Sequence, residues 1–140
     1  MTSPEDERLE QIIAFVGSQL PSPVEQQDAP DGTMIFTGGA PALVVVHLTD
    51  SSVVVSEFFG VWESPDRFVV KPKRVGLVKW RRLAETPLMN ALGALIKGAR
   101  DARLARFRSC AVCDRVFPPE MLFAKDTCAE CGSQPASTVH

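Results

Sequence analysis

The chain has 140 residues, of which 45% are hydrophobic and 23% are charged, and its formal net charge is −2. A length of this order builds one domain, or one domain with a small appendage, which excludes a large multidomain enzyme. The composition is close to that of globular proteins and excludes global disorder and collagen-like repeats.

A first helix is predicted over residues 4–20. Ser3 is a favourable N-cap residue, and Pro4 suits the first helical position. An apolar stripe then recurs at helical spacing, formed by Leu9, Ile12, Ile13, Val16 and Leu20. The next segment, residues 21–32, contains three prolines and no periodicity, so it is predicted to be a linker or a surface loop.

Residues 33–83 are rich in Val, Ile, Phe and Trp and are interrupted by turn signals. Strands are predicted at residues 33–37, 42–48, 52–62, 67–71 and 75–83. The connections between them are short, and short connections favour antiparallel pairing because parallel strands need a long crossover. The pattern therefore predicts an antiparallel meander.

A second, long helix is predicted after the strands, with Thr86 as its cap and Pro87 at its first position. Its apolar stripe consists of Leu88, Met89, Leu92, Leu95, Ile96 and Ala99. We expect an α+β body at residues 1–107, in which both helices cover one face of the sheet. A cysteine finger at residues 108–132 and a flexible tail at 133–140 are predicted to follow.

All four cysteines lie in the last quarter of the chain, as Cys110 and Cys113, then Cys128 and Cys131. Two C-x2-C pairs separated by fourteen residues are typical of a tetrahedral zinc site with four thiolate ligands. The apolar residues between the pairs are too few to fold the segment unaided, so the metal is expected to contribute folding energy. We therefore predict one structural Zn²⁺.

Other interpretations of the cysteines compete with the zinc site. Disulfides are disfavoured in a reducing compartment, and a redox pair requires only one C-x-x-C at the start of a helix. An iron centre stays open, because ligand type does not separate iron from zinc. Four thiolates close the coordination shell, which argues against a catalytic metal.

The residues around the cysteines also carry a resemblance. Stretches 107–113, 118–121 and 128–131 together resemble the four-cysteine zinc ribbon or treble-clef finger found at the C-terminus of small uncharacterised actinobacterial proteins. The resemblance covers about 26 residues and implies zinc, not a particular target. Asp114 stands where this finger commonly has glycine, and Asp tolerates the left-handed backbone conformation better than most residues.

Charge is distributed unevenly along the chain. Residues 1–70 carry 2 basic and 11 acidic side chains, whereas residues 71–115 carry 12 basic and 3 acidic ones. Helical geometry places Arg103 and Arg106 on the apolar stripe of the second helix, where a partner must be found for them. Solvent, the finger, carboxylates of the first half and a phosphate backbone are the candidates, and of these we expect the carboxylates of the first half.

A second basic run surrounds Trp80. Strand alternation would turn Val78 and Trp80 inward and leave Lys79 and Arg81 outside, although basic runs with an aromatic residue also occur in single-stranded nucleic-acid grooves. The candidate partner-binding residues are therefore Arg103, Arg106, Trp80, Arg81 and Arg82.

No catalytic constellation is found in the sequence. His47 lies in a valine-rich strand without a neighbouring nucleophile, and no serine has a G-x-S-x-G setting. The longest apolar runs, residues 40–46 and 58–62, fall well short of a membrane span, and the acidic start is unlike a secretory leader. We expect a cytoplasmic, non-enzymatic zinc protein that makes no membrane contact and acts as a protein-interaction or adaptor module. The main alternative is a nucleic-acid-binding protein that uses residues 71–115 and the finger, and a third hypothesis is an enzyme whose site the sequence does not reveal.

Overall fold

The computed structural model describes residues 3–123 and 126–132. In chain order the elements of the body are α1 (Pro4–Gln19), β1 (Val24–Asp28), β2 (Met34–Gly38), β3 (Val44–Leu48), β4 (Val53–Glu57), β5 (Gly60–Ser64), β6 (Arg67–Val70), β7 (Lys73–Val78), a 3-10 turn (Trp80–Arg82) and α2 (Glu85–Leu104). The cysteine segment adds β8 (Arg108–Ser109), β9 (Val116–Phe117), a second 3-10 turn (Pro119–Met121) and α3 (Ala129–Gly132). The tail predicted at 133–140 lies outside the described residues.

Helix α1 begins as its sequence predicts. The Ser3 hydroxyl accepts a hydrogen bond from the Asp6 backbone N–H at 3.1 Å, and Pro4 occupies the first turn. Leu20 already has an extended backbone, as expected for a residue that precedes proline. Ile12 and Val16 are fully buried and join α1 to the core.

The main sheet has five antiparallel strands in the order β1-β2-β3-β4-β7. This confirms the α+β class with an antiparallel meander, with the β5–β6 hairpin inserted before the last strand. The segment 21–32 was wrongly expected to lack regular structure, since it contains β1. That strand is a polar edge strand, exposed along its whole length, so it has no apolar alternation to reveal it.

Three further expectations need correction. The strand predicted at 52–62 is two strands, because the chain leaves the sheet after Glu57 and enters the hairpin at Gly60. The strand predicted at 75–83 ends at Val78, and the 3-10 turn begins two residues later, at Trp80. Helix α2 starts at Glu85 with Ala84 as N-cap, so Thr86 is not the cap and Pro87 is the third helical residue.

The core lies between the sheet and the helices. It is formed by Ile12 and Val16 of α1, by Phe36, Val44, Val46, Leu48, Val53, Val55 and Val78 of the sheet, and by Leu88, Leu92, Ile96 and Ala99 of α2. Arg103 continues the buried stripe of α2. Among the described residues, no helix combines the length and apolar character that crossing a membrane requires.

Gly76 of β7 lies directly against Leu95 of α2. A Cβ atom added there would lie 2.5 Å from Leu95 Cδ2, so either the Leu95 side chain or the spacing between helix and strand would have to change. We expect Gly76→Ala to lower the free energy of unfolding by about 1–3 kcal/mol, as overpacking does. Gly98→Ala is the matched control, because nothing lies within 4 Å of its Cβ position and alanine favours a helix by about 1 kcal/mol. Urea denaturation that ranked the two variants in the opposite order would contradict this packing.

Candidate metal centre and its junction with the body

The four cysteine sulfurs form one cluster. The Sγ atoms of Cys110, Cys113, Cys128 and Cys131 all lie within 4.8 Å of one another, and all four residues are free thiols. A tetrahedral ion with metal–sulfur bonds of about 2.3 Å would hold its ligands about 3.8 Å apart, and the Cys113 and Cys128 sulfurs are 4.0 Å apart. The cysteines are therefore positioned to hold a metal ion.

The first pair of cysteines is carried by the β8–β9 hairpin. Within the turn, the Cys110 N–H donates to the Arg115 carbonyl at 2.8 Å, and the Asp114 N–H donates to the Cys110 carbonyl at 3.0 Å. Asp114 has φ 62°, so the left-handed conformation expected at this position is present. The tight turn brings Cys110 and Cys113 to the same side of the hairpin.

The second pair of cysteines is delivered by a short bridge and a single helical turn. Cys128 pairs with Leu122 in an antiparallel bridge, and Cys131 lies in α3. Two ion pairs then join the two halves of the segment, from Arg115 to Glu130 and from Arg108 to Asp126. These contacts hold the two cysteine pairs together from outside the sulfur cluster.

Hydrogen bonds to sulfur prepare the cluster for an anionic state. The backbone N–H groups of Val112 and Cys128 each lie 3.4 Å from Cys110 Sγ, and Arg115 Nε lies 3.4 Å from Cys113 Sγ. Backbone N–H groups, those of Cys113 and Cys128 foremost, lower the pKa of Cys110 to about 6. The Arg115 guanidinium lowers the pKa of Cys113 in the same direction. Thiolates are the form that binds soft metals such as zinc and iron.

A buried ion pair fastens the cysteine segment to the body. Arg103, in the last turn of α2, is 1% exposed, and Glu120, in the 3-10 turn between the cysteine pairs, is 7% exposed. Arg103 Nη2 donates to both carboxylate oxygens, at 2.6 Å to Oε1, and Arg103 Nε donates to the Ala42 carbonyl at 3.4 Å. The Nη1 atom is buried and has no hydrogen-bond partner among the described residues. The pair thus joins α2, the β2–β3 loop and the finger.

Trp62 of β5 makes a second connection at the same place. Its Nε1–H donates to the Glu120 carbonyl at 2.9 Å, and its ring centroid lies 6.3 Å from that of Phe123. Glu120 is therefore held through its side chain by α2 and through its backbone by the hairpin. Sequence reasoning missed Glu120 and Trp62. Glu120 had one signal, as an isolated acid inside the apolar stretch 116–123.

The predicted partner-binding residues are divided by the structure. Trp80 is 1% exposed, with its Nε1–H bonded to the Thr49 carbonyl at 3.0 Å, so it is a core residue like Arg103. Arg81 pairs with Glu5 at 2.8 Å, and Arg106 Nε lies 2.5 Å from the buried Glu57 carboxylate. Arg82 is exposed. Arg106 therefore pairs with a carboxylate of the acidic first half, as expected, whereas Arg103 pairs with a carboxylate of the finger.

Most of the basic segment 71–115 is neutralised within the molecule. Ion pairs join Lys71 to Glu63, Arg81 to Glu5, Arg100 to Asp101, Arg103 to Glu120, Arg106 to Glu57, Arg108 to Asp126 and Arg115 to Glu130. Lys73 lies 4.1 Å from the centroid of the Phe59 ring. Within the described part of the chain, the cations of this segment left without such a contact are Arg74, Lys79, Arg82 and Lys97.

An apolar cleft lies beside the metal cluster. It has a volume of about 500 Å³ and is lined by Ala40, Pro41, Val116, Phe117, Pro118, Met121, Cys128, Ala129 and Glu130. Met121 is 45% exposed, and Phe123, further along the same loop, is 46% exposed. Large apolar side chains of the finger thus remain accessible to solvent.

Comparison with known proteins finds no relative: no family model, no curated protein and no solved structure matches this chain. The assignment of the finger to the zinc-ribbon or treble-clef class therefore stays a prediction that rests on the cysteine pattern. The cluster itself is a feature of the fold and does not depend on that assignment.

Proposed function

We propose that this is a non-enzymatic protein that binds one structural Zn²⁺ and recognises another protein through the apolar surface of its finger. The observation that carries the proposal is the four-sulfur cluster, with its finger held against the body by the buried pair Arg103–Glu120. Four thiolates complete a tetrahedral shell and leave no position for a substrate. The chemistry of the donor set thus favours a structural ion.

The choice of a protein partner rests on what the finger exposes. The cleft of about 500 Å³ is mostly apolar, and Val112, Val116, Met121 and Phe123 stand exposed on the finger. Exposed apolar side chains grouped on a rigid support favour a partner that inserts large apolar side chains. The partner expected here is a protein segment with one or two such side chains.

Nucleic acid is the weaker alternative, because the cations of residues 71–115 are largely engaged in ion pairs. Phosphate binding needs cations free to replace counterions. The large exposed side chains of the finger are also apolar, and they do not form the continuous positive surface that such binding requires. A protein partner therefore accounts for more of this surface.

Peptide selection tests the proposal. The zinc-loaded protein is used to select binders from a random peptide library on phage, and we expect peptides enriched in large apolar residues. Met121→Lys should lower the affinity of the protein for the selected peptides by about tenfold or more, as loss of a central apolar contact does. Leu104→Lys is the matched control, since Leu104 is equally exposed but lies at the end of α2.

Two results would contradict the proposal. One is a selection that yields no peptide sensitive to Met121→Lys. The other is tight, salt-dependent binding of a single-stranded oligonucleotide that is lost when Arg74, Lys79 and Arg82 are replaced by Ala, which would favour nucleic acid.

A further inference from the structure

Strand β7 forms one edge of the five-stranded sheet. It pairs with β4 along one side, and within residues 3–123 and 126–132 no backbone hydrogen bond reaches its other side. An edge strand leaves a row of N–H and C=O groups unpaired, and these groups can pair with a strand from another chain. The last part of this edge is regular, because Gly76, Leu77 and Val78 pair with successive residues of β4 and the register shift lies before them.

The two edges of the sheet differ in character. At the other edge, all five residues of β1 are exposed and four of them are polar. Polar and charged residues of this kind are normal on a solvated edge, where they discourage pairing with another chain. Strand β7 instead exposes two apolar side chains, Val75 and Leu77, each at 40%. Of the two edges, β7 is therefore the one suited to pack against a partner.

An open cleft lies at the end of β7. It has a volume of about 380 Å³ and is lined by Leu77, Val78, Lys79, Arg82, Leu83 and Ala91. Val78 belongs to the core cluster and Leu77 does not, since neighbouring residues of a strand point to opposite faces. Because both residues line the cleft, the cleft lies at the edge of the sheet and not beneath one face. A strand added to β7 would place a side chain in it.

Three cations flank this edge. Arg74 lies near the start of β7, Lys79 follows its end, and Arg82 lines the cleft. All three are exposed, and in the described part of the chain none of them has an ion pair. Residues 74 and 79 are separated by roughly 16 Å of extended chain. These like charges oppose the pairing of two β7 strands with each other, but they attract an acidic segment.

We propose that the open edge of β7 binds an acidic, extended peptide of another protein, which adds a strand to the sheet. Main-chain hydrogen bonds to β7 hold the peptide, and one of its apolar side chains fills the cleft. Its carboxylates pair with Arg74, Lys79 and Arg82. A second copy of this chain fits less well, because its acidic edge strand β1 offers Val24 as its single apolar residue.

Fluorescence anisotropy of the full, metal-loaded chain tests the proposal with a labelled peptide in which glutamates flank alternating valine and threonine. We expect saturable binding that weakens as salt is added, and no binding of the same peptide with lysines in place of the glutamates. Arg74→Glu combined with Lys79→Glu should lower the affinity by about tenfold or more. Lys97→Glu is the matched control, because it reverses an exposed cation of α2 that does not line the cleft.

The backbone of the peptide gives a second, independent readout. N-methylation removes an amide donor, and the N–H groups of a strand point alternately to its two sides. Methyl groups on one alternate set of residues should lower the affinity by about tenfold or more, because that set faces β7. Methyl groups on the other set should leave the affinity nearly unchanged. Equal effects of the two sets would overturn strand addition.

This site is distinct from the finger, since Ala91 and Arg103 lie about 18 Å apart along α2. Met121→Lys should therefore leave binding of this peptide unchanged. If Met121→Lys abolishes it, the peptide binds the finger, and the β7 site is wrong while the proposed function stands. No saturable binding up to about 1 mM peptide also overturns the β7 site. Tighter binding of a single-stranded oligonucleotide to the same cations, or self-association that the peptide displaces, overturns the choice of an acidic peptide as the partner.

Discussion

Replacing Glu120 by Gln is expected to lower the free energy of unfolding by about 3–5 kcal/mol, because it leaves the Arg103 guanidinium charged and unpaired in the interior. Arg103 is 1% exposed, so little water can reach its guanidinium to compensate, and its Nη1 atom already has no hydrogen-bond partner in the described part of the chain. Urea denaturation of the metal-loaded protein, followed by circular dichroism, measures the change.

Two further variants make this expectation specific. Glu63→Gln is the matched control, since Glu63 makes exposed pairs with Arg67 and Lys71 at 3.5 and 3.6 Å, and exposed pairs contribute about 0–1 kcal/mol. The double variant Arg103→Met with Glu120→Leu should recover most of the lost stability, because apolar residues of similar size can replace a buried ion pair. Equal effects of Glu120→Gln and Glu63→Gln would show that the pair is not a buried one in solution.

Removing the metal is expected to unfold the finger and leave most of the body folded. Structural zinc contributes about 10–16 kcal/mol to small domains of this type, whereas the core between the sheet and the helices contains no cysteine. Elemental analysis should first find one zinc per chain, with iron as the competing result. Chelation should then reduce the circular dichroism signal only slightly.

Metal-free protein should also lose its sensitivity to Glu120→Gln, since an unfolded finger no longer places a carboxylate beside Arg103. Cys131→Ser should abolish zinc binding, whereas Asp114→Gly is the control that retains it, because glycine accepts the φ of 62° at that position. Complete loss of helix and sheet signal on chelation would show that finger and body fold as one unit.

Acidification should release the metal, because protons compete for the sulfurs. The pKa of Cys110 is lowered to about 6, so this sulfur is mostly a thiolate at pH 7. The neighbouring sulfurs, Cys128 first, raise the pKa of Cys131 to about 12, so this thiol must release a proton when the ion binds. Metal affinity therefore falls as the pH drops.

Local signals in the sequence were sufficient for the parts of the fold that local physics determines. Ser3 and Pro4 predict where α1 begins, and the apolar stripe of α2 is recognisable from its spacing. Strand β1 was not recognisable, because a solvated edge strand needs neither alternation nor apolar residues. It forms because it pairs with β2, and the residues of the segment itself give no sign of that pairing.

The same distinction holds for the site. Spacing alone brought the four cysteines together correctly, since each pair is local and the ion joins them. Helical periodicity also showed that Arg103 needed a partner, but it did not identify Glu120 among the carboxylates of the chain. That choice depends on how the finger docks, which is a tertiary property, and it places the partner 17 residues away rather than in the acidic first half.

The short connection between α2 and the finger has a mechanical consequence. Residues 105–107 separate α2 from β8, and each of their backbone N–H groups bonds a carbonyl of the last helical turns, at 3.0–3.1 Å. The connection is therefore too short and too well ordered to let the finger rotate independently of α2. A rotation of the finger would turn the whole helix about its axis and so reach Glu85 at the other end, about 30 Å away.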